Sequence, residues 1–186
     1  MNRRNARTAA TLTVALLVIG SITMVRGDDA ARAAIAIAPG STLWMEGKST
    51  VHDWESKTST VKVVFTPHPS QPDPTDAAGM EALVRAPGIT GVDVEVPVNT
   101  LRSKKSGLDK NMMKALKAEQ FPTVKFHKSN YKVAEGAAGD TLSLTADGTL
   151  TICAKQKAIT LEARAWKDAQ GLWLAGNEPL NMTDYD

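Results

Sequence analysis

The strictest constraint on this chain is the run Val92-Asp93-Val94-Glu95-Val96-Pro97-Val98. Successive side chains of a strand point to opposite faces, so the four valines share one side while Asp93 and Glu95 share the other. A helix cannot sort such a pattern, and the segment predicts a strand with one buried face. Val61, Val63 and Phe65 repeat the alternation around Lys62. It returns in Val124 and Phe126, Leu142 and Leu144, Leu150 and Ile152, Ile159, Leu161 and Ala163, and Leu172 and Leu174. Turn signals fall at residues 136–140, Asp147-Gly148, Lys155-Gln156-Lys157 and Gln170-Gly171. Many short strands joined by tight turns predict an all-β, antiparallel barrel or sandwich. Pro97 lacks an amide hydrogen, which asks for an edge position or a bulge at that point.

Two segments interrupt the strands. Pro67, Pro69, Pro72 and Pro74 make a stiff connection, after which Thr75 is a candidate cap for a helix carrying Met80, Leu83 and Val84 and ending at Pro87-Gly88. From Ser106 to Gln120, Leu108, Met112 and Leu116 recur at helical spacing opposite Lys110, Lys114 and Lys117. This predicts a short amphipathic helix capped by Ser106 and stopped by Phe121-Pro122.

Charge and cysteine usage bound the compartment. Arg3, Arg4 and Arg7 precede an uncharged apolar run from Thr8 to about Val25, followed by Ala31-Arg32-Ala33. That is the layout of an export signal, with cleavage expected near Ala33; the alternative is an uncleaved membrane anchor. Removing residues 1–33 takes five basic and two acidic residues from the 22 and 20 of the whole chain, leaving 17 against 18. The mature part is near neutral, so nothing global points to nucleic acid. Residues 34–186 suffice for one domain. With Cys153 alone, stability in a periplasmic or secreted setting rests on the core rather than on an internal disulfide.

Several blocks, in order, resemble one known family. Val96-Pro97-Val98-Asn99-Thr100-Leu101, the helical block Leu108 to Leu116, and Phe121-Pro122-Thr123-Val124-Lys125-Phe126 are similar to the central signature of the YceI-like family. Trp44 to Trp54, Leu150-Thr151-Ile152 and Ile159-Thr160-Leu161 fit as well, so the resemblance covers nearly all of residues 41–186. It implies an eight-stranded, lipocalin-like antiparallel barrel whose tubular apolar cavity takes polyisoprenoid chains, such as isoprenoid quinones or polyprenyl phosphates. It also implies a further pair of strand-like runs after Tyr185, so the domain is expected to be truncated at its C-terminus. The family's usual glycine between the late paired strands is replaced around Cys153 to Lys157.

Taken together, these readings predict an exported carrier or sequestering protein for a long apolar lipid, with no enzymatic activity and no cofactor. The candidate pocket residues are Trp44, Trp54, Val94, Val96, Val98, Met112, Met113, Leu116, Phe121 and Phe126. Methionines suit a flexible guest because their thioethers adapt their shape. Arg102, Lys104 and Lys105 are the candidate head-group residues, Arg102 being suited to a bidentate phosphate contact. The same basic cluster also allows peripheral contact with an anionic membrane. Two alternatives remain: an exported β-sandwich interaction module with a solid core, and a small hydrolase or isomerase using His52. Three scattered histidines and one cysteine offer no metal-ligand spacing.

Overall fold

The alternation is realised as antiparallel strands throughout the residues that the computed structural model describes, namely 11–21, 33–37, 41–48, 53–71, 74, 76–134, 141–168 and 171–185. The strands are β1 (Thr11–Ser21), β2 (Ala33–Ile37), β3 (Leu43–Lys48), β4 (Asp53–Thr58), β5 (Lys62–Pro67), β6 (Ile89–Pro97), β7 (Thr123–Val133), β8 (Thr141–Ile152), β9 (Lys155–Asp168) and β10 (Gly171–Asn181). Helix α1 (Ala77–Arg85) joins β5 to β6, and α2 (Ser106–Ala115) joins β6 to β7. The fold is all-β and antiparallel with two short helices, as the sequence predicts.

Neighbouring strands run in the order β10-β9-β8-β7-β6-β5-β2-β1-β3-β4, and β10 additionally pairs with β1. That last ladder extends from Thr11 opposite Asn181 to Gly20 opposite Leu172. Strand β1 lies inside residues 1–33, the segment expected to be removed on export. His52 and Thr75 lie outside the described residues.

Local chemistry sets the element ends, and several differ from the sequence expectation. Helix α1 is capped by Asp76, whose Oδ1 accepts from the Gly79 amide at 2.7 Å. A short carboxylate at this position satisfies an amide that the first helical turn leaves bare. Helix α2 is not capped by Ser106, which is its first helical residue: the cap position is Lys105, with no side-chain cap bond, and the helix stops at Ala115, because Lys117 adopts a left-handed φ of 48°. Its first turn is held by Asp109, whose Oδ1 accepts from the Ser103 amide at 2.7 Å. Hydrogen bonds from the Ser103 side chain and then its amide, with the nearby Arg102 charge, hold the Asp109 carboxyl below its usual range.

Asp147-Gly148 is no turn: β8 runs straight through it, paired with β9 from Thr141 to Ile152. Nor do Lys155-Gln156-Lys157 turn. The hairpin closes on Cys153-Ala154, which take φ of 49° and 62° between the paired Ile152 and Lys155. Two successive positive φ values match the right-handed twist of the flanking strands.

Alternation sends one face of each strand inward. Val63 and Phe65 of β5, Val94 and Val96 of β6, Leu142, Leu150 and Ile152 of β8 and Leu180 of β10 are all buried. Each helix covers part of this interior. Met112 of α2 and Leu116 just after it join the cluster containing Val96, Leu101 and Ile152. Met80 and Leu83 of α1 pack with Phe65, and Val84 packs with Leu142 and Ala165. The interior therefore has an α2 side and an α1 side.

Candidate functional site

The interior is hollow. On the α2 side lies a cavity of about 390 Å³ walled by β3, β4, β6 to β10 and α2. On the α1 side lies a second of about 180 Å³, reached by Met80 and Val84 of α1. Val94, Phe126 and Leu161 line both. The two spaces thus share a wall, a waist in the apolar interior, at these three residues. The larger cavity lies within the size range of small-molecule clefts.

The Phe126 ring at this waist depends on Gly148. A Cβ placed there would stand 2.5 Å from two ring atoms and from the His127 carbonyl oxygen. Only a residue without a side chain lets the ring lie across β8.

Of the candidate pocket residues, the structure brings Trp54, Val94, Val96, Met112, Leu116 and Phe126 together around the larger cavity. Four others sit elsewhere. Trp44 is flanked by the buried Leu43 and Met45, which line the cavity in its place; neighbours on a strand face opposite ways. Val98 is packed solid in the turn after β6, at 1% exposure. Met113 lies about 100° round the helix from Met112 and lines an outer groove instead. Half-buried Phe121 borders neither cavity. The sequence reading left out Leu101 and Leu108, and it left Leu150, Ile152, Ile159 and Leu161 as strand residues only. Their alternation already placed them on an inward face.

The candidate head-group residues are outside both cavities. Arg102 borders the outer groove with Lys110, Lys114 and Lys117. Its Nη1 donates to the carbonyls of Asn99 and Leu101, at 2.6 and 2.8 Å. Lys104 and Lys105 are exposed and line neither the groove nor either cavity.

The polar groups that do face the cavities are different ones. Asn111 and Glu178 lie in the wall of the larger cavity. Burial raises the Glu178 carboxyl above its usual range, and the nearby Glu162 charge raises it further. Burial, with the Asp184 charge and then that of Glu178, pushes the Tyr185 phenol up. Lys128 and Tyr131 lie in the wall of the smaller cavity. Beyond Val124 and Phe126, β7 continues to Val133 across a bulge between Lys128 and Asn130. Period-two extension from Val124 and Phe126 was the signal that placed Lys128 inward. Among the described residues, no group of three His, Cys, Asp or Glu side chains comes together as a metal site would require.

An antiparallel sheet with two helices beside adjacent apolar cavities defines a barrel-like protein with room for a slender guest. The YceI-like domain matches residues 39–186, and the chain belongs to that family. Among solved structures, Burkholderia cenocepacia BcnA is similar at 11% identity, with a TM-score of 0.53 over 93% of this chain and 80% of that one. The Campylobacter jejuni YCEI protein is similar at 18% identity, with a TM-score of 0.50 over 74% of this chain and 72% of that one. At such identities the likeness is one of fold. No curated protein matches the chain.

Proposed function

We propose that this protein is an exported, non-catalytic carrier or sequestering protein that holds one long apolar lipid, of the polyisoprenoid class, in its interior. The observation that carries this reading is the hollow interior: two apolar cavities of about 390 and 180 Å³ that share Val94, Phe126 and Leu161 as a common wall. A solid-core interaction module has no use for such a space, and packed interiors leave few voids larger than a water molecule. Hydrocarbon leaving water gains roughly 25 cal/mol per Å², so burying roughly 300 Å² contributes about 7 kcal/mol. That gain is set before the cost of association.

The wall of the larger cavity favours a neutral group over a phosphate, and the smaller cavity offers one lysine, Lys128. Arg102, Lys104 and Lys105 do not reach the larger cavity, and the acidic Glu178 does. An isoprenoid quinone or similar neutral lipid fits this wall better than a polyprenyl phosphate. The cations of α2 fit a second, weaker role in contact with an anionic membrane surface, a contact that salt would screen. In this reading the leader, residues 1–33, is removed on export and the protein acts in the periplasm or outside the cell. Among the described residues, no helix is long and apolar enough to cross a membrane.

Native mass spectrometry of the exported, processed protein tests the proposal. The expected result is a chain lacking the leader and carrying one apolar mass of several hundred daltons. A protein that is ligand-free and takes up neither an added isoprenoid quinone nor a polyprenyl alcohol would sink the carrier reading.

A further inference from the structure

A lysine inside an apolar interior asks for an explanation. Lys128 is 5% exposed, although its flexible stem ordinarily carries the ammonium out to water. It sits in the wall of the α1-side cavity, where, among the described residues, Tyr131 is the only other one with a polar side chain. The Tyr131 hydroxyl is already engaged, donating to the Val84 carbonyl at 2.9 Å. The Lys128 Nζ donates to the Ile89 carbonyl at 3.0 Å and stands 4.8 Å from the centre of the Tyr131 ring. An ammonium carries three hydrogens, and one carbonyl and one ring face leave donor capacity beside an apolar void. Burial lowers the affinity of this amine for its proton, the mark of a group short of polar partners.

We propose that Lys128 anchors the oxygen-bearing end of the bound lipid, so that the guest lies with a hydrogen-bond-accepting oxygen in the α1-side cavity and its hydrocarbon tail across the Phe126 waist into the α2-side cavity. This rests on the reading of the interior as a lipid site and adds an orientation and a chemical class to it: an apolar chain ending in a carbonyl oxygen, as against a plain hydrocarbon. The geometry is economical. The amine remains tied to Ile89, and the guest oxygen supplies the acceptor that the cavity wall lacks. A purely structural Lys128, tying β7 to the start of β6, would show no preference between guests.

The test uses two guests of similar tail, the isoprenoid ketone farnesylacetone and the hydrocarbon farnesene, each displacing a fluorescent apolar dye such as Nile red. On the native sequence the ketone is expected to bind about tenfold more tightly than farnesene, the scale of a hydrogen bond from a charged or buried donor. In Lys128→Met the ketone weakens about tenfold while farnesene stays within about twofold. Equal affinities on the native sequence, or equal weakening of both guests in the variant, overturn the anchor. Should the variant fail to fold, the ¹³Cε resonance of Lys128 in the native protein decides: it shifts with the ketone and not with farnesene if the anchor exists, and with neither if it does not. Failure of both guests to bind removes the lipid-site reading and the anchor together, whereas binding without discrimination removes the anchor alone.

Discussion

Among the described residues, one carboxylate, Glu178, interrupts the wall of the larger cavity, and it gives the interior a pH dependence. Because Glu178 is raised by burial and then by Glu162, the folded protein holds its proton more tightly than the unfolded chain does. The resulting stability is present below the unfolded pKa and is lost as pH rises through the folded one. Denaturant midpoints measured from acid to neutral pH should therefore fall less steeply in Glu178→Gln than in the native protein. Dye affinity for the larger cavity should rise in that variant at neutral pH. An unchanged pH profile would show that Glu178 is hydrated in the folded state. Gly148→Ala should cost about 1–3 kcal/mol, since its Cβ meets the Phe126 ring and β7 backbone with no room to spare. Urea unfolding would measure that loss, and a neutral result would mean that the ring moves freely. At this scale the sequence was legible wherever alternation ran unbroken, as from Val92 to Val98. It failed at Trp44 because aromatic bulk was weighed above register, although Leu43 and Met45 held the inward positions.

Secondary-structure elements were legible in type more than in boundary. Both helices stand where their apolar spacing put them, yet α2 ends at Ala115 because Lys117 turns left-handed, a property with no sequence mark comparable to glycine. Strand β8 passes through Asp147-Gly148 because the glycine serves a close approach within the sheet rather than a turn. The true turn, Cys153-Ala154, carries neither glycine nor asparagine and holds two residues in a region where a Cβ is crowded. Ala154→Gly should relieve that crowding and raise stability by about 1 kcal/mol. For a chain of this size that is roughly 2–4 °C in Tm by calorimetry. A fall in Tm would mean that the loss of unfolded-chain entropy on folding outweighs the relieved strain.

At the scale of the whole molecule, strand alternation specifies an antiparallel wall but is silent on whether the enclosed side chains meet. That depends on ring placement and on the helices, neither of which a period of two encodes. The family resemblance supplied the expectation of a cavity, and the geometry supplies its shape: α2 on one side, α1 on the other, Phe126 between. It also moves the polar contacts away from Arg102, Lys104 and Lys105 to Asn111, Glu178, Lys128 and Tyr131. Trp54 lines the larger cavity, so its emission reports on the tail of a quinone whose ring is held beyond Phe126. The most direct test of a hollow, occupied interior is titration with a short-chain ubiquinone while following Trp54 fluorescence, in chains where Trp44, Trp166 and Trp173 are phenylalanine. Saturable one-to-one quenching that disappears when Val96→Trp fills the cavity is the predicted result. Quenching that never saturates, or that persists unchanged in a folded Val96→Trp protein, contradicts it.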